Sequence, residues 1–116
     1  MHAAQLVTPR SLLPQLRSAK RAVPGGSVVL SFDIEEHDRI EAAAGLGRPA
    51  ATRAEYADRM ERTTNALLEL LAEYGVPATF YVVGEIARSH PRLVKRIAAA
   101  GHEVGSHGWD HRRCHA

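Results

Sequence analysis

Residues 31–38 of the chain read SFDIEEHD and decide how the rest of the sequence is interpreted. The apolar, β-branched run before and within this stretch predicts a short strand over residues 27–33, buried on both faces as in a parallel sheet. Carboxylates and a histidine crowd its end. A surface turn accounts for some of this charge, and a metal site accounts for more of it. The residues that carry the strand prediction are Val28, Val29, Leu30 and Phe32.

Further strands and helices alternate downstream of this stretch. ATFYVV at residues 78–83 predicts a second strand, and a short helical stretch follows at residues 85–89. A second helix is predicted to begin at Pro91 and to end at Gly101, and HEVGS at residues 102–106 predicts a third strand. This alternation favours parallel β-α-β units with right-handed crossovers, and therefore an α/β fold.

The longest predicted helix lies between the first two strands. Thr52, followed three residues later by Glu55, forms a capping box, and Gly75 predicts the end of the helix. The apolar side chains between these limits recur with helical spacing, and they are interpreted as contacts with the sheet and not as cofactor contacts. They are Tyr56, Met60, Leu67, Leu70, Leu71 and Tyr74.

The composition restricts the class of protein. The 116 residues suffice for one modest domain, and 45% hydrophobic with 24% charged residues is typical of an ordinary globular protein. A net charge of +2 gives no argument for a nucleic-acid-binding surface. No apolar run approaches the roughly 18 residues of a transmembrane segment. The single cysteine excludes an internal disulfide.

The N-terminal part differs from the rest of the chain. No Asp or Glu precedes Asp33, and prolines interrupt a basic segment that ends in a Pro-Gly-Gly turn. Residues 1–26 are therefore predicted to form a basic, loosely ordered extension, and residues 27–116 the domain. Because the start lacks the continuous apolar segment of a secretory signal, a cytoplasmic location is the default expectation, with association with the cell envelope left open.

A pair of histidines follows the third predicted strand. In HGWDH, His107 and His111 are four residues apart, which places both imidazoles on one side of a helix or helical turn. A carboxylate from the first strand would complete a site with open positions for water and substrate, suited to Zn²⁺ or another first-row divalent ion. In parallel α/β folds, ligands bind where the carboxyl ends of strands meet, and both motifs are predicted to lie at such ends.

Each motif alone is weak. The histidine spacing can arise by chance in a chain with seven histidines, and a carboxylate-rich turn is usually solvated. Together, at neighbouring strand ends, the two motifs predict a metal centre. A metal ion makes its bound water more acidic, and a nearby aspartate can accept the proton as the water attacks a carbonyl carbon. This is the chemistry of metal-assisted amide hydrolysis.

SFDIEEHD, together with ATFYVVGEIARSHPRLVKRIAAAGHEVGSHGWDH at residues 78–111, resembles the polysaccharide deacetylase family, also described as NodB-homology or carbohydrate esterase family 4 domains. The resemblance covers about residues 27–113. The Asp-x-Glu-Glu form of the first motif is similar to the branch associated with bacterial exopolysaccharide loci that carry an exosortase system. The resemblance implies a distorted (β/α) barrel and metal-dependent removal of N-acetyl groups from amino sugars of a polysaccharide.

The resemblance also implies roles for individual residues. Asp33 corresponds to the catalytic base, Glu35 to a metal ligand, and His107 and His111 to two further ligands. The family usually has a second aspartate directly after the first, where this chain has isoleucine, so Glu36 stays open as an alternative ligand. Alternation along an extended strand end favours Glu35, because residues two apart point the same way.

Other residues near the two motifs have two interpretations each. His37 and Asp38 either support the ligands from outside or are solvated. Trp109 either lines the sugar site, since aromatic faces suit sugar rings, or packs against the protein. His115 forms a second pair with His111, which leaves open which pair binds the metal.

The length leads to a further expectation about completeness. A (β/α)₈ barrel takes about 250 residues, so the sequence is predicted to be the N-terminal part of a deacetylase without the later motifs that supply the general acid. Low stability, weak or absent activity and self-association through an open sheet edge are expected. The alternatives are a non-catalytic metal-binding or interaction module and a truncated gene product.

Overall fold

The computed structural model of the protein describes residues 25–39, 45 and 47–111, so nearly all of the predicted N-terminal extension lies outside the described residues. Within them, strands and helices alternate along the chain. Their bounds are β1 (Ser31–Ile34), a 3₁₀ turn (His37–Arg39), α1 (Ala50–Tyr74), β2 (Thr79–Val82), α2 (Gly84–Ser89), α3 (Pro91–Ala99) and β3 (Glu103–Ser106). In this part of the chain, no helix combines the length and apolar character needed to cross a bilayer.

The strands form one parallel sheet in the order β1-β2-β3. In the third of the four rows of its register, Asp33 lies beside Tyr81 and Tyr81 lies beside Gly105. Parallel neighbours joined by helices confirm the predicted α/β class. The distorted barrel stays a prediction.

One face of the sheet is covered by helices. Phe80, Ile86 and Ile97 are completely buried, and Leu93 is almost so. Helix α1 contributes buried residues spaced four, four and three apart, which places them on one helical face. Residues of β2, α2 and α3 thus share one core. The buried positions of α1 are Met60, Thr64, Leu68 and Leu71.

The C-terminal end of α1 was predicted correctly and its start was not. Gly75 adopts a left-handed conformation with φ 63°, and its N–H donates to the carbonyl of Ala72. The helix begins at Ala50, where Pro49 is the N-cap and no side chain caps the backbone. The predicted capping box is therefore wrong, because Thr52 already lies inside the helix.

Two of the predicted core positions of α1 are also wrong. Leu70 and Tyr74 are exposed, whereas Leu68 and Leu71 are buried. Successive residues of a helix are about 100° apart, so Leu70 and Leu71 do not share a face. Thr64 occupies the position between Met60 and Leu68, and its hydroxyl donates to the Met60 carbonyl at 2.8 Å, which satisfies the buried oxygen.

The first strand begins later than predicted. Pairing starts with Ser31 beside Thr79, whose N–H also donates to the Leu30 carbonyl at 3.0 Å. Val28 and Val29 are 89% and 81% exposed, so the prediction that they are buried is wrong. The physical reason is the register: β2 itself begins at Thr79, and these valines have no neighbouring strand among the described residues.

Candidate metal centre

Two carboxylates leave the end of β1 on the open face of the sheet. Asp33 is in the strand, and Glu35 directly follows its last residue, Ile34. Ile34 belongs to the buried core, whereas the Asp33 side chain is exposed. Because side chains alternate along a strand, Asp33 and Glu35 point away from the covered face. This is the orientation that the sequence predicted for them.

The two histidines are carried by the loop after β3. Gly108 and His111 both have positive φ, 75° and 63°, so the predicted helical turn is wrong. The loop is held by its backbone instead: the His107 N–H donates to the Val82 carbonyl at 3.0 Å. A histidine in the left-handed region is uncommon, and such positions are often found at functional sites. The imidazole centroids are 4.9 Å apart.

Glu35 and the two histidines converge on one point. The Glu35 Oε2 lies 3.1 Å from the His111 Nε2 and 3.5 Å from the His107 Nε2. One potential ligand atom from each of the three residues lies within 4.8 Å of the other two. The Asp33 Oδ2 lies 3.8 Å from the His107 Nε2, at the edge of this group. Strand ends that are far apart in sequence therefore deliver their polar groups to one place.

The donor set fits a divalent cation. The Glu35 Oε2 is buried and has no hydrogen-bond partner among the described residues. A buried carboxylate oxygen without a partner is unfavourable unless an ion or a solvent molecule satisfies it. Two imidazole nitrogens and one carboxylate oxygen are ligands that Zn²⁺ accepts, with a further position left open. Protonation of either imidazole would turn the same contacts into ion pairs.

Glu36 is not part of this group. The chain turns into the 3₁₀ helix after it, and its carboxylate accepts a hydrogen bond from the Nε of Arg39. The Nη1 of Arg39 donates to Glu85 at the start of α2. Burial disfavours the charged guanidinium, but the hydrogen bonds and charges of Glu36 and Glu85 outweigh it and raise the pKa of Arg39 above its usual value.

Other side chains near the motifs lie outside the ligand group wherever the structure describes them. His37 is exposed, and its ring packs edge-on against Tyr56 with 5.3 Å between centroids. The Asp38 side chain and His115 lie outside the described residues. Trp109 is exposed but held in place: Arg88 lies 5.7 Å over its ring, and a Cβ added to Gly84 would lie 2.4 Å from its Cε3.

A cavity of about 410 Å³ opens beside the carboxylates, between β1 and α1. Asp33 and Glu35 form part of its wall, and apolar side chains such as Phe32, Met60 and Leu67 form much of the rest. His107 and His111 do not line it. The candidate ligand atoms therefore lie at the margin of this cavity and not at its centre.

Sequence reasoning missed Arg39 and Glu85. Arg39 follows Glu36 by three residues, a spacing that allows side chains to meet on a helical turn and could have indicated the first ion pair. Glu85 is 46 residues from Arg39 in the chain. No local pattern connects the two, so the second ion pair could be found only from the fold.

Comparison with known proteins gives consistent similarities. The sequence model of the family described as Polysaccharide deacetylase matches residues 20–116. Over 48 residues, the chain is 48% identical to a chitooligosaccharide deacetylase of Sinorhizobium fredii and 50% identical to one of Rhizobium leguminosarum bv. trifolii. Each of these matches covers 41% of this chain and 22% of the relative.

A third similarity is with a peptidoglycan-N-acetylglucosamine deacetylase of Listeria monocytogenes. It is 48% identical over 48 residues, which are 41% of this chain and 10% of the relative. The matched stretch therefore spans less than a quarter of these curated relatives.

Proposed function

Because the chain belongs to the polysaccharide deacetylase family, we propose that it removes N-acetyl groups from amino sugars of a polysaccharide with the help of Zn²⁺. The observation that carries the proposal is the convergence of Glu35, His107 and His111 within 4.8 Å. Asp33 borders this group and supplies the proposed base. Residues from two strand ends thus supply the ligands and the base.

Glu35, His107 and His111 are the proposed metal ligands, and Asp33 is the proposed base. When bound, the ion would polarise the acetyl carbonyl and lower the pKa of a coordinated water. Asp33 would accept the proton of the attacking water, because its carboxylate is close to the ligand group without belonging to it. Glu36 has no role as a ligand in this proposal, since Arg39 binds its carboxylate.

The proposed reaction is the hydrolysis of an amide. The water oxygen forms a bond to the acetyl carbon, the bond between this carbon and the sugar nitrogen breaks, and acetate leaves. The nitrogen takes up a proton and becomes a free amine. Asp33 is assigned only to the first proton transfer, and the group that protonates the nitrogen is left unassigned.

The proposed substrate is a polymer that contains N-acetylglucosamine. The names of the relatives, chitooligosaccharide deacetylase and peptidoglycan-N-acetylglucosamine deacetylase, support this sugar. The exposed ring of Trp109, in the same loop as both histidines, is the proposed contact with the sugar face. An exopolysaccharide is the substrate class that the Asp-x-Glu-Glu motif suggests.

We further propose that the sheet is part of a distorted (β/α) barrel. The strands follow one another in sequence order, the helices cover one face, and the candidate metal centre lies at the carboxyl ends on the opposite side. These are the relations that strands, outer helices and active site have in such barrels.

The exposed Val28 and Val29 support the further proposal that the chain associates with itself, which light scattering would detect.

The test measures Zn²⁺ binding and acetate release from N-acetylglucosamine oligomers by the same protein preparations. His107→Ala and His111→Ala are expected to lower the Zn²⁺ affinity more than about 100-fold, because loss of a ligand should exceed the effect of losing a residue that only orients one. Asp33→Asn is expected to retain Zn²⁺ binding and to abolish acetate release. His90→Ala, which removes a histidine from the far end of α2, is the matched control.

Two results would contradict the proposal in different ways. Zn²⁺ binding that depends on His107 but is accompanied by no acetate release would favour the non-catalytic metal-binding module. Equal Zn²⁺ affinity of the wild type and both histidine variants would remove the metal centre itself, and with it the proposed reaction.

A further inference from the structure

Arg39 joins two carboxylates that belong to different parts of the chain. Its Nε donates to Glu36, which follows Glu35 directly, and its Nη1 donates to Glu85 in the first turn of α2. Its backbone N–H also donates to the Glu36 carbonyl at 3.0 Å, which closes the 3₁₀ turn. We call Glu36, Arg39 and Glu85 the Arg39 bridge.

The Arg39 bridge is less exposed than the ion pairs on α1. The side chains of Arg39, Glu36 and Glu85 are 21%, 11% and 32% exposed, whereas those of Arg62 and Asp58 are 71% and 66% exposed. Exposed ion pairs such as Arg62 with Asp58 contribute little to stability, because water and salt screen them. In the Arg39 bridge, removal of the guanidinium would leave the partly buried carboxylates of Glu36 and Glu85 without their shared partner.

Glu85 connects the same bridge to residues 107–111, which we call the histidine loop. Its backbone N–H donates to the Trp109 carbonyl at 2.9 Å, and the N–H of Gly84 donates to the Gly108 carbonyl at 2.9 Å. Glu85 therefore binds Arg39 with its side chain and the loop between His107 and His111 with its backbone. Arg39 is linked to both segments that supply proposed metal ligands.

Glu35 needs such a support because the sheet ends before it. The last backbone hydrogen bond of β1 to the neighbouring segment runs from the Val83 N–H to the Ile34 carbonyl at 3.3 Å. The Glu35 carboxylate oxygen near the histidines has no hydrogen-bond partner among the described residues. The turn that follows Glu35 therefore contributes to its position, and the Arg39 bridge links that turn to α2.

We propose that Arg39 is a positioning residue of the metal centre: through Glu36 and Glu85 it holds Glu35 at the distance from His107 and His111 that metal binding requires. This inference rests on the proposed function, because it takes these three residues as the ligands. Arg39 itself touches neither the metal nor the substrate. Its effect is on the geometry and affinity of the site.

The experiment compares Arg39→Gln, Arg39→Lys and the control Arg62→Gln in the full chain. Co²⁺ serves as the probe, because its affinity and its visible absorption spectrum both report the ligand geometry. Arg39→Gln is expected to lower the Co²⁺ affinity about 10- to 100-fold, as other residues that orient ligands do, and to change the spectrum. Arg39→Lys is expected to recover part of the affinity, and Arg62→Gln to match the wild type.

A second variant separates positioning from a general loss of folding. Glu85→Gln removes the other end of the bridge, and it is expected to change the Co²⁺ spectrum in the same way as Arg39→Gln. The double variant is expected to lose no more affinity than Arg39→Gln alone, since both changes break one connection. Thermal unfolding of each variant without metal gives its folded fraction, and the measured Co²⁺ affinities are corrected for that fraction.

The outcomes distinguish this inference from the proposed function. Wild-type Co²⁺ affinity and spectrum in both Arg39→Gln and Glu85→Gln, with binding abolished in His107→Ala, would refute the positioning role and leave the metal centre intact. Equal Co²⁺ binding by the wild type and His107→Ala would refute the metal centre, and the positioning role would be refuted with it.

Discussion

The two faces of the sheet differ in what their residues do. On the covered face, Phe80 and Val82 pack against helices and are shielded from water. On the open face, Asp33, Tyr81 and Gly105 share one row of the register, and Glu35 and His107 lie just beyond it. Because side chains alternate along each strand, one strand can serve the core with every second residue and the candidate site with the others.

The difference teaches which substitutions should affect folding and which should affect binding. Apolar area removed from water stabilises the fold on the covered face. On the open face, the polar side chains contribute little buried apolar area, so their replacement should change metal binding more than stability. Four substitutions test how far this separation holds.

The largest effect is expected for Phe80→Ala on the covered face. Phe80 is 0% exposed, so the change leaves a cavity and should lower the free energy of unfolding by about 3–5 kcal/mol. Urea denaturation measures this loss. Val104→Ala lies in the same row of the register on an exposed edge strand and is the control, with an expected loss of about 1 kcal/mol. Equal losses would show that burial does not decide the contribution of a residue in this row.

Gly84→Ala is expected to change both the stability of the fold and metal binding. The new Cβ would lie 2.4 Å from the Cε3 of Trp109 and 3.2 Å from its Cα, so the histidine loop has to shift. A loss of about 1–3 kcal/mol in the free energy of unfolding is expected, together with weaker Zn²⁺ binding. Titration and urea denaturation measure the two effects.

The control for Gly84→Ala is Gly26→Ala, where a Cβ would meet nothing within 4 Å. Adding Trp109→Ala to Gly84→Ala should recover part of the stability, since the contact with the ring disappears while the contact with the Trp109 backbone remains. Unchanged Zn²⁺ binding in Gly84→Ala would mean that the loop adapts without moving its histidines.

A smaller effect is expected for Gly105→Ala on the open face. Its Cβ would lie 2.7 Å from the Cδ1 of Tyr81, but this ring is exposed and can rotate toward water. The expected loss is about 0.5–1.5 kcal/mol, the cost of an unfavourable side-chain conformation. Tyr81→Ala in the same chain should abolish the loss measured by urea denaturation. A loss as large as that of Phe80→Ala would contradict the openness of this face.

The smallest effect is expected for Val29→Ser, before the first paired residue of β1. Val29 is 81% exposed, so the free energy of unfolding should change by less than about 0.5 kcal/mol. If Val29 were buried, as the sequence pattern predicted, the substitution would instead lower the free energy of unfolding by about 1.5–3 kcal/mol. Thermal and urea unfolding of the variant distinguish the two expectations.

Local sequence patterns predicted the fold class and the order of its elements. Gly75 and Pro91 mark helix boundaries through their own backbone preferences, so they could be interpreted without the fold. Burial depends on neighbours and could not be predicted as well. Val28 has the composition of a buried strand residue, but it precedes the register that β2 offers, and nothing local to it reveals this.

The proximity of the proposed ligands could be predicted because strand alternation and parallel topology act together, whereas metal binding itself stays a prediction. Glu35 faces the same way as Asp33, and the strand order brings β1 and β3 to either side of β2. The predicted helical geometry of His107 and His111 was wrong, yet the loop brings the rings together through contacts with Val82 and the start of α2. These contacts join segments that are far apart in the chain, so no sequence pattern reveals them.

Helix α2 has no side-chain cap at its N-terminus, and the Gly108 and Trp109 carbonyls accept the first two of its amide protons. Melting of the histidine loop would therefore uncap α2, and fraying of α2 would release the loop, so the two segments share one local unfolding equilibrium. An ion that binds only the ordered loop would shift this equilibrium by mass action. The amides of Gly84 and Glu85, which touch no ligand, would then exchange with solvent more slowly.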